Sequence, residues 1–228
     1  MMTATQLTPE YTDQALLNPK FDTNRVSNLD LKIRLTRREI SKNGILFSEG
    51  DTAHGFYIVE SGSFRSFRSS ASAGKQQTFQ FYGPGNWMGI RDAVYGGKYL
   101  HHAIALEDSS VFFIEEDELK RLLQSDSEFQ NSVFYQVAKD SVEAENKIYS
   151  LGTRQVHAKL SEFLLQFMDG QSGEVDLPFT REVMASVIGV TTETLVRALT
   201  DLKSRNWIDI DKRKIFVKDE LALRRLLD

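Results

Sequence analysis

The spacing of apolar residues changes once in this chain, near Glu115, and this change limits the folds that it can adopt. Between Arg37 and Glu115, short apolar runs are separated by turn residues roughly every 8–12 positions, as in a β-sandwich or jelly roll. After Glu115, apolar residues recur at helical spacing. We therefore expect the α+β fold class, with an N-terminal antiparallel β jelly roll followed by helices. Residues 1 to about 25 show neither pattern and are expected to form a loose arm or one short helix.

Strand signals in the first region fall in the segments 44–51, 55–70, 75–85 and 100–115. Two of these segments, 55–70 and 100–115, are each expected to form a pair of strands joined by a turn. The turns fall at Ser61-Gly62 and at 107–109. The strand in 75–85 is expected to stop at Gly83-Pro84-Gly85.

Two helices are predicted next. Segment 115–126 is short and carries acidic residues in its first turn, where the helix dipole favours them. Segment 125–151 is longer and contains no glycine or proline. Its heptad seam, with alternating spacings of four and three, consists of Phe134, Ala138, Ser141, Glu145 and Ile148. We expect this face to form a homodimer, and a helix buried within one subunit is the alternative.

The remaining residues predict a hinge, four helices and a hairpin. Residues 152–154 resemble a hinge, and 155–170 an amphipathic helix that ends at Gly170. After the paired helices described next, 207–210 and 214–217 are expected to be two strands around a basic turn. A last helix is predicted over 219–228.

Two helices are predicted to meet at Gly189. Thr180 is a suitable N-cap for the first, and Gly189 is a suitable left-handed residue at its end. Thr191 or Thr192 can cap the second helix, which we expect to end at Asn206-Trp207. With the hairpin that follows, this order is a winged helix–turn–helix.

Composition excludes several kinds of site. The chain has no cysteine, which rules out disulfides, thiolate zinc sites and cysteine-ligated iron–sulfur clusters. It has no long apolar run and no basic-then-apolar N-terminus, so we expect a soluble, cytoplasmic protein without a membrane partner. We expect no metal, no cofactor and no enzyme activity, because no catalytic constellation is visible.

Charge gives a weak signal for a nucleic-acid partner. The net charge is −4, which by itself does not indicate DNA binding. Within Val190–Lys218, however, seven basic residues stand against four acidic ones. This local excess is compatible with phosphate contact, and a mixed solvated surface is the alternative.

Four stretches carry a resemblance to a known family. They are GILFSEGDTAHGFYIVESGSFRSFR, FYGPGNWMG, AIALEDSSVFFIEEDEL and LPFTREVMASVIGVTTETLVRALTDLKSRNWI. In these stretches the chain resembles the Crp/Fnr family of bacterial transcription regulators. The resemblance implies a cyclic-nucleotide-binding-like sensor with the N-terminal arm in 1–124, a long dimerisation helix in 125–151 and a winged helix–turn–helix in 152–228.

The most specific match is the E-x-x-x-R pattern of the family's recognition helix, present as Glu193 and Arg197. Both lie on one helix face, where a glutamate can accept from cytosine N4 and an arginine can donate to guanine O6 and N7. A surface ion pair is the alternative. Thr192 and Val196 are further candidates for base contact. The phosphate-contact candidates are Thr180, Arg181, Thr191, Lys203, Lys212, Arg213 and Lys214.

The resemblance also implies the partners. A homodimer would bind double-stranded DNA at an inverted repeat whose half-site centres lie about 10 base pairs apart. RNA polymerase is a further candidate partner, through the loop Asp169–Asp176.

The sensor departs from the members of the family that bind cyclic AMP. Those members follow a glycine with a glutamate for the ribose, and further along use an Arg-Ser/Thr pair for the phosphate. Here Gly89 is followed by Ile90, and Leu100 and His101 occupy the later pair. Leucine cannot donate to a phosphate, so we expect no tight cyclic AMP binding and an unknown effector.

Three other residues are candidates for an altered effector pocket. Arg91 could serve another anion, and a surface salt bridge with Asp92 is the alternative that we favour. Asp140 and Ser141 could line a different pocket or only the dimer seam.

His101 and His102 raise the question of a metal site. Neighbouring residues of a strand point to opposite faces, so the pair cannot hold one metal ion from a regular strand. A cupin-type metalloenzyme shares the jelly roll but uses an H-x-H spacing that is absent here, and haem ligation by one histidine is a remote alternative. We expect one packed and one exposed histidine.

Overall fold

The computed structural model describes residues 34–70, 75–175, 180–212 and 214–227. The predicted N-terminal arm lies outside these residues. Eleven strands are described: β1 (Leu35–Ile40), β2 (Ile45–Phe47), β3 (Gly55–Ser61), β4 (Phe64–Ser69), β5 (Gln76–Tyr82), β6 (Trp87–Met88), β7 (His102–Ala105), β8 (Ser109–Glu115), β9 (Glu174–Val175), β10 (Ile208–Asp211) and β11 (Lys214–Val217).

Seven helices are described in the same residues: α1 (Ile90–Tyr95), α2 (Glu116–Ser125), α3 (Ser127–Thr153), α4 (Val156–Phe167), α5 (Arg181–Ile188), α6 (Thr192–Ser204) and α7 (Glu220–Arg224). The α+β class, the N-terminal β layers and the C-terminal helix–turn–helix agree with the sequence prediction.

Two antiparallel four-stranded sheets form the sensor, in the orders β1-β8-β3-β6 and β2-β7-β4-β5. Their inward residues pack a core that includes Phe47, Tyr57, Phe64 and Tyr99. Phe47 and Tyr99 stack with ring centroids 4.0 Å apart. Along β3 and β8 the side chains alternate between this core and a second core on the other face of the sheet, so these two strands are buried on both sides.

The predicted strand pairs exist as strands but not as hairpins. β3 and β4 lie in different sheets, and so do β7 and β8. Each of the two turns therefore carries the chain across the sandwich. The local turn signal is the same in both cases, because it reports a change of direction and not the strand with which the chain next pairs.

A second core joins the sensor to its helices. Trp87 and Phe129 stack at 5.4 Å, and Leu119 and Leu122 of α2 pack in the same cluster. The helix α1, which the sequence reading missed, contributes Ile90 to it. Its six residues are too few to show a helical repeat in the sequence.

Several boundaries differ from the prediction. The long helix α3 continues through Gly152 to Thr153, so the break before α4 falls at Arg154-Gln155. α4 stops at Phe167 because the following residues pair with β9 through a bridge between Met168 and Val175. The C-terminal helix is limited to Glu220–Arg224.

The C-terminal region has its own core, built from α4, α5, α6 and the three-stranded sheet β10-β11-β9. Leu160, Leu164, Leu195 and Leu202 are fully buried there. In the described parts of the chain, no single helix is long and apolar enough to cross a membrane, and the bent pair α5 and α6 passes that test only jointly, by length and composition.

Candidate DNA interface and effector region

The two predicted short helices form a helix–turn–helix. The Thr180 side chain caps α5 by accepting the Val183 N–H at 3.4 Å, and Gly189 ends it with φ of 72°. Thr191 caps α6 by accepting the Thr194 N–H at 3.2 Å. The two helices are bent by 94° relative to each other, within the usual range for this motif.

Helix α6 is buried on one face and open on the other. Its apolar stripe, at helical spacing, consists of Leu195, Ala198, Leu199 and Leu202. Glu193 and Arg197 are exposed, and the Val196 side chain is 47% exposed. The four candidates for base contact therefore belong to α6 outside its buried stripe, with Thr192 partly buried at its start.

Electrostatics leave the two charged candidates for base contact, Glu193 and Arg197, available. Hydrogen bonds at the helix N-terminus, from the Glu193 backbone N–H first and the Thr191 hydroxyl second, lower the pKa of Glu193. Arg197 makes no ion pair within the described residues, although its charge adds slightly to that shift. The surface ion pair that was the alternative reading is thus not formed, and both groups can accept or donate in a groove.

The phosphate candidates differ in how free they are. Lys212 is exposed at the wing turn with φ of 54°. Lys203 Nζ instead lies 3.0 Å from Asp209 Oδ1 and 3.1 Å from the Ile210 carbonyl oxygen, and Lys214 Nζ lies 2.6 Å from Glu174 Oε1. Arg213 lies outside the described residues.

Arg181 and the two threonine caps are also engaged within the fold. The Arg181 guanidinium is half-buried with Nη1 at 3.2 Å from Met184 Sδ, and burial lowers its pKa. The hydroxyls of Thr180 and Thr191 accept backbone N–H groups, so phosphate contact would add to their role as caps.

A depression of about 580 Å³ adjoins the recognition helix and was not foreseen from the sequence. Arg197 and Asp201 of α6 line it together with His157 of α4. His157 Nε2 lies 2.9 Å from Asp201 Oδ2. This distance is short enough for an ion pair, but the angles do not fit a hydrogen bond. Arg205 Nε donates to the same oxygen at 3.1 Å.

In the sensor, two of the proposed pocket residues, Ile90 and Leu100, differ in burial. Ile90 is 1% exposed and packs with Trp87 and Leu119 in the core between the sheet and the helices. Leu100 is 51% exposed. The structure does not support Ile90 as an effector-pocket residue, because its apolar side chain at the start of α1 is drawn into the core, whereas Leu100 stays a prediction.

Gly89 has a structural reason for being glycine. Its φ is 77°, and a Cβ at this position would lie 2.7 Å from Tyr99 Cε1. It forms the N-cap of α1 and brings Arg91 towards Asp92, whose side chain is 6% exposed. The glycine thus shapes the start of α1 whether or not a ligand binds.

Arg91 is held by neighbouring side chains. Its Nη2 lies 3.2 Å from Asp92 Oδ1 and 3.4 Å from His101 Nδ1. His101 in turn packs on the Phe79 ring with centroids 4.5 Å apart. Burial first, and the Arg91 charge second, lower the pKa of His101 to about 4, so the imidazole is neutral at neutral pH.

The two effector-pocket candidates on the long helix, Asp140 and Ser141, differ in burial. Asp140 accepts a hydrogen bond from Gln136 Nε2 at 2.7 Å, and burial raises its pKa. Ser141 is exposed. Tyr82, which sequence reading missed, is half-buried near Asp140 and Arg91, and burial raises the pKa of its hydroxyl. This polar cluster therefore holds the Asp140 carboxylate and the Arg91 guanidinium near the Tyr82 hydroxyl.

The two histidines are both partly buried, so the expectation of one packed and one exposed side chain is wrong. His102 stacks on Phe67 with centroids 5.1 Å apart, and its Nδ1 accepts the Glu49 N–H at 3.3 Å. No group of three or more metal-ligating side chains occurs in the described residues.

The predicted seam of α3 faces away from the sensor core. All five positions, Phe134, Ala138, Ser141, Glu145 and Ile148, are exposed, whereas Phe129, Val133 and Gln136 on another face are buried. Phe134 is 77% and Ile148 71% exposed. This face of α3 is therefore not buried within one subunit, which was the alternative interpretation.

Comparison with known proteins agrees with this division. The family model "Cyclic nucleotide-binding domain" matches residues 37–126, and the "Crp-like helix-turn-helix domain" model matches 158–226. The transcriptional regulatory protein btr of Bordetella pertussis is 25% identical over 210 residues, covering 90% of this chain and 86% of its own. The nitrogen fixation regulation protein FixK of Azorhizobium caulinodans is 26% identical over 195 residues, covering 82% and 77%.

A solved structure has the same fold. FixK2 from Bradyrhizobium japonicum superposes with a TM-score of 0.75 at 24% identity, covering 85% of this chain and 98% of that one. Both domain models, the curated relatives and the architecture agree. The chain therefore belongs to the Crp/Fnr family of DNA-binding transcription regulators.

Proposed function

We propose that this regulator binds an inverted-repeat operator as a homodimer, reading each half-site through Glu193 and Arg197. The observation that carries the proposal is the state of these two side chains. They are exposed one helical turn apart on α6. Glutamate paired with cytosine N4 and arginine with guanine O6/N7 then predict at least one G·C pair in each half-site.

Dimerisation is supported by the exposed seam of α3. Phe134 and Ile148 leave apolar surface on a helix of 27 residues, and a second copy of the same face would cover it. A two-fold axis along α3 would then present two recognition helices to one side of a duplex.

We further propose that no cyclic nucleotide controls this protein. Leu100 and Ile90 replace the ligand-holding residues, and Arg91, the nearby cation, is already paired with Asp92. The regulator would then be controlled by its abundance, by a protein partner or by a ligand of other chemistry. The loop after α4, ordered by Asp169 Oδ1 accepting the Ser172 N–H at 2.7 Å, is our proposed contact for RNA polymerase.

Substitution of the two readers tests this function. Glu193→Ala and Arg197→Ala should each weaken operator binding by ~1–3 kcal/mol, while sedimentation shows an unchanged dimer. Lys218→Ala, at an exposed basic position after the wing, is the matched control and should lower affinity for all sequences alike. Operator affinity that is unchanged in both reader variants would contradict the proposal.

A further inference from the structure

The sensor contacts the helix–turn–helix directly through strand β5. Gln77 Nε2 donates to the Val187 carbonyl oxygen of α5 at 3.2 Å. Phe81 meets Phe167 of α4 edge to face, with ring centroids 5.8 Å apart. These contacts place one edge of the sensor sandwich against the first helix of the motif.

A buried hydroxyl pair lies at the centre of this contact. Thr78 Oγ1 and Ser186 Oγ are 2.6 Å apart, and the two residues are 1% and 6% exposed. Ser186 donates its hydrogen to the Val183 carbonyl oxygen at 2.7 Å. Its oxygen must therefore accept from the Thr78 hydroxyl, because each hydroxyl has one hydrogen to donate.

The chain of hydrogen bonds begins at a cation. Arg65 Nη1 donates to Thr78 Oγ1 at 3.0 Å and Nη2 to Gln76 Oε1 at 2.8 Å. Arg65 is 8% exposed, its guanidinium lies over the Phe67 ring at 4.3 Å, and it has no acidic partner in the described residues. Burial lowers its pKa.

The hydrogen bonds between Arg65, Thr78 and Ser186 thus run in one direction: Arg65 donates to Thr78, and Thr78 donates to Ser186. The guanidinium polarises the Thr78 hydroxyl, which in turn donates to Ser186, and both hydroxyls are buried. A bond supported by a charged donor is stronger than one between two neutral hydroxyls. Breaking it leaves the buried Thr78 O–H without its acceptor, which costs more than the bond alone is worth.

The contact is close to the turn that orients the recognition helix. A Cβ on Gly189 would lie 3.3 Å from Gln77 Oε1 and 2.9 Å from Leu151 Cδ2, so sensor strand, long helix and turn meet there. Glu193 and Arg197 remain exposed and take no part in these contacts. The contact therefore fixes α5 and α6 without covering the DNA-reading side chains.

We propose that Arg65, Thr78 and Ser186 are positioning residues for DNA recognition, which hold the helix–turn–helix in a fixed orientation on the sensor. This inference rests on the proposed reading of DNA by α6. A dimer must present two recognition helices at one fixed separation, and a helix–turn–helix free to rotate must be ordered when DNA binds. The contact between the Thr78 and Ser186 hydroxyls orders the helix–turn–helix before DNA binds, so the binding step does not carry this entropic cost.

The test uses the full-length protein and an operator selected from random duplexes. Thr78→Val replaces the hydroxyl by a methyl of similar size, and should weaken operator binding about threefold to tenfold, the range that one hydrogen bond is worth. Thr78→Ser restores the hydroxyl and should restore affinity. Binding to an unrelated duplex should change less than twofold, because phosphate attraction does not need both helices in register.

Two controls separate positioning from stability. Ser110→Ala removes a buried hydroxyl that contacts Ser61 at 2.7 Å within the sensor, and should leave operator affinity unchanged at a similar loss of thermal stability. Ser186→Ala should weaken operator binding in the same direction as Thr78→Val, and the double variant should lose less than the sum of the two single losses, since the Thr78–Ser186 contact is absent in all three.

The outcomes are distinct. Unchanged or tighter operator binding by Thr78→Val, or an equal loss in Ser110→Ala, would overturn the inference; tighter binding would show that the contact inhibits. Arg197→Ala serves as the reference for the underlying function. If wild type and Arg197→Ala bind the operator equally, the proposed function itself fails, irrespective of the Thr78 variants.

Discussion

At the scale of single residues, the candidate readers of DNA are defined by what they do not contact. Arg197 makes no ion pair in the described residues, while Asp201 one turn later is engaged by Arg205. Lys203 and Lys214 are paired with acids. The ion pairs within the structure thus indicate which basic side chains are available for DNA contact. The sequence alone could not show this.

The protonation of His101 follows from its surroundings. Its ordinary pKa of 6.5 falls to about 4 in the folded chain. As pH falls from about 6.5 to about 4, the unfolded chain therefore binds a proton that the folded chain does not, and stability declines with pH in this window.

Substituting His101 should remove that decline. Between pH 7 and pH 5, wild type should lose about 1–2 kcal/mol more free energy of unfolding than His101→Gln. Denaturant unfolding of both proteins at the two values measures the difference. Carboxyls such as Asp140 titrate in both proteins and cancel in the comparison, so equal losses would show that His101 does not set this dependence.

At the scale of elements, local signals were read correctly where a local cause acts. Thr180 and Thr191 cap α5 and α6, and Gly189 has the predicted left-handed conformation, because capping and φ are decided within a few residues. The two strands around Ser61-Gly62 were predicted, but their placement in different sheets was not, because partner strands are chosen by the whole sandwich. Similarly, Ile90 was placed in a pocket from its position in the family pattern, whereas its apolar side chain is buried in the core.

Gly189 is an element-scale constraint on the turn. Gly189→Ala combines a φ of 72° with a Cβ 2.9 Å from Leu151 Cδ2, and should lower the free energy of unfolding by roughly 1–3 kcal/mol. Gly170→Ala is the matched control, since its φ is not positive and nothing lies within 4 Å of the added Cβ. Thermal or denaturant unfolding that shows equal stability for the two variants would refute this reading of the turn.

The seam of α3 makes a separate prediction about assembly. Ile148→Lys puts a charge on the exposed apolar face and should convert the dimer into a monomer at micromolar concentration. Asn146→Lys adds the same charge at an exposed position off the seam and should leave the dimer intact. Sedimentation velocity measures both, and a monomeric wild type would contradict the seam.

At the scale of the whole molecule, the helix–turn–helix and the sensor domain differ in the charged groups that they expose. The helix–turn–helix keeps an exposed Glu193 and Arg197, as DNA reading needs. In the sensor, Arg91 is paired with Asp92 and His101 is neutral, so neither of these two side chains offers a free positive charge to a phosphate. The sensor and the helix–turn–helix contact each other through Thr78 and Ser186. These two residues are 108 positions apart, so no sequence pattern could have connected them.

Selection of DNA by the purified protein, with no nucleotide added, tests this account most directly. Random duplexes should converge on an inverted repeat whose half-site centres lie about 10 base pairs apart, with at least one G·C pair in each half-site. Adding cyclic AMP should leave the enrichment unchanged. Enrichment that appears only with cyclic AMP, or a selected site without two-fold symmetry, would contradict the account.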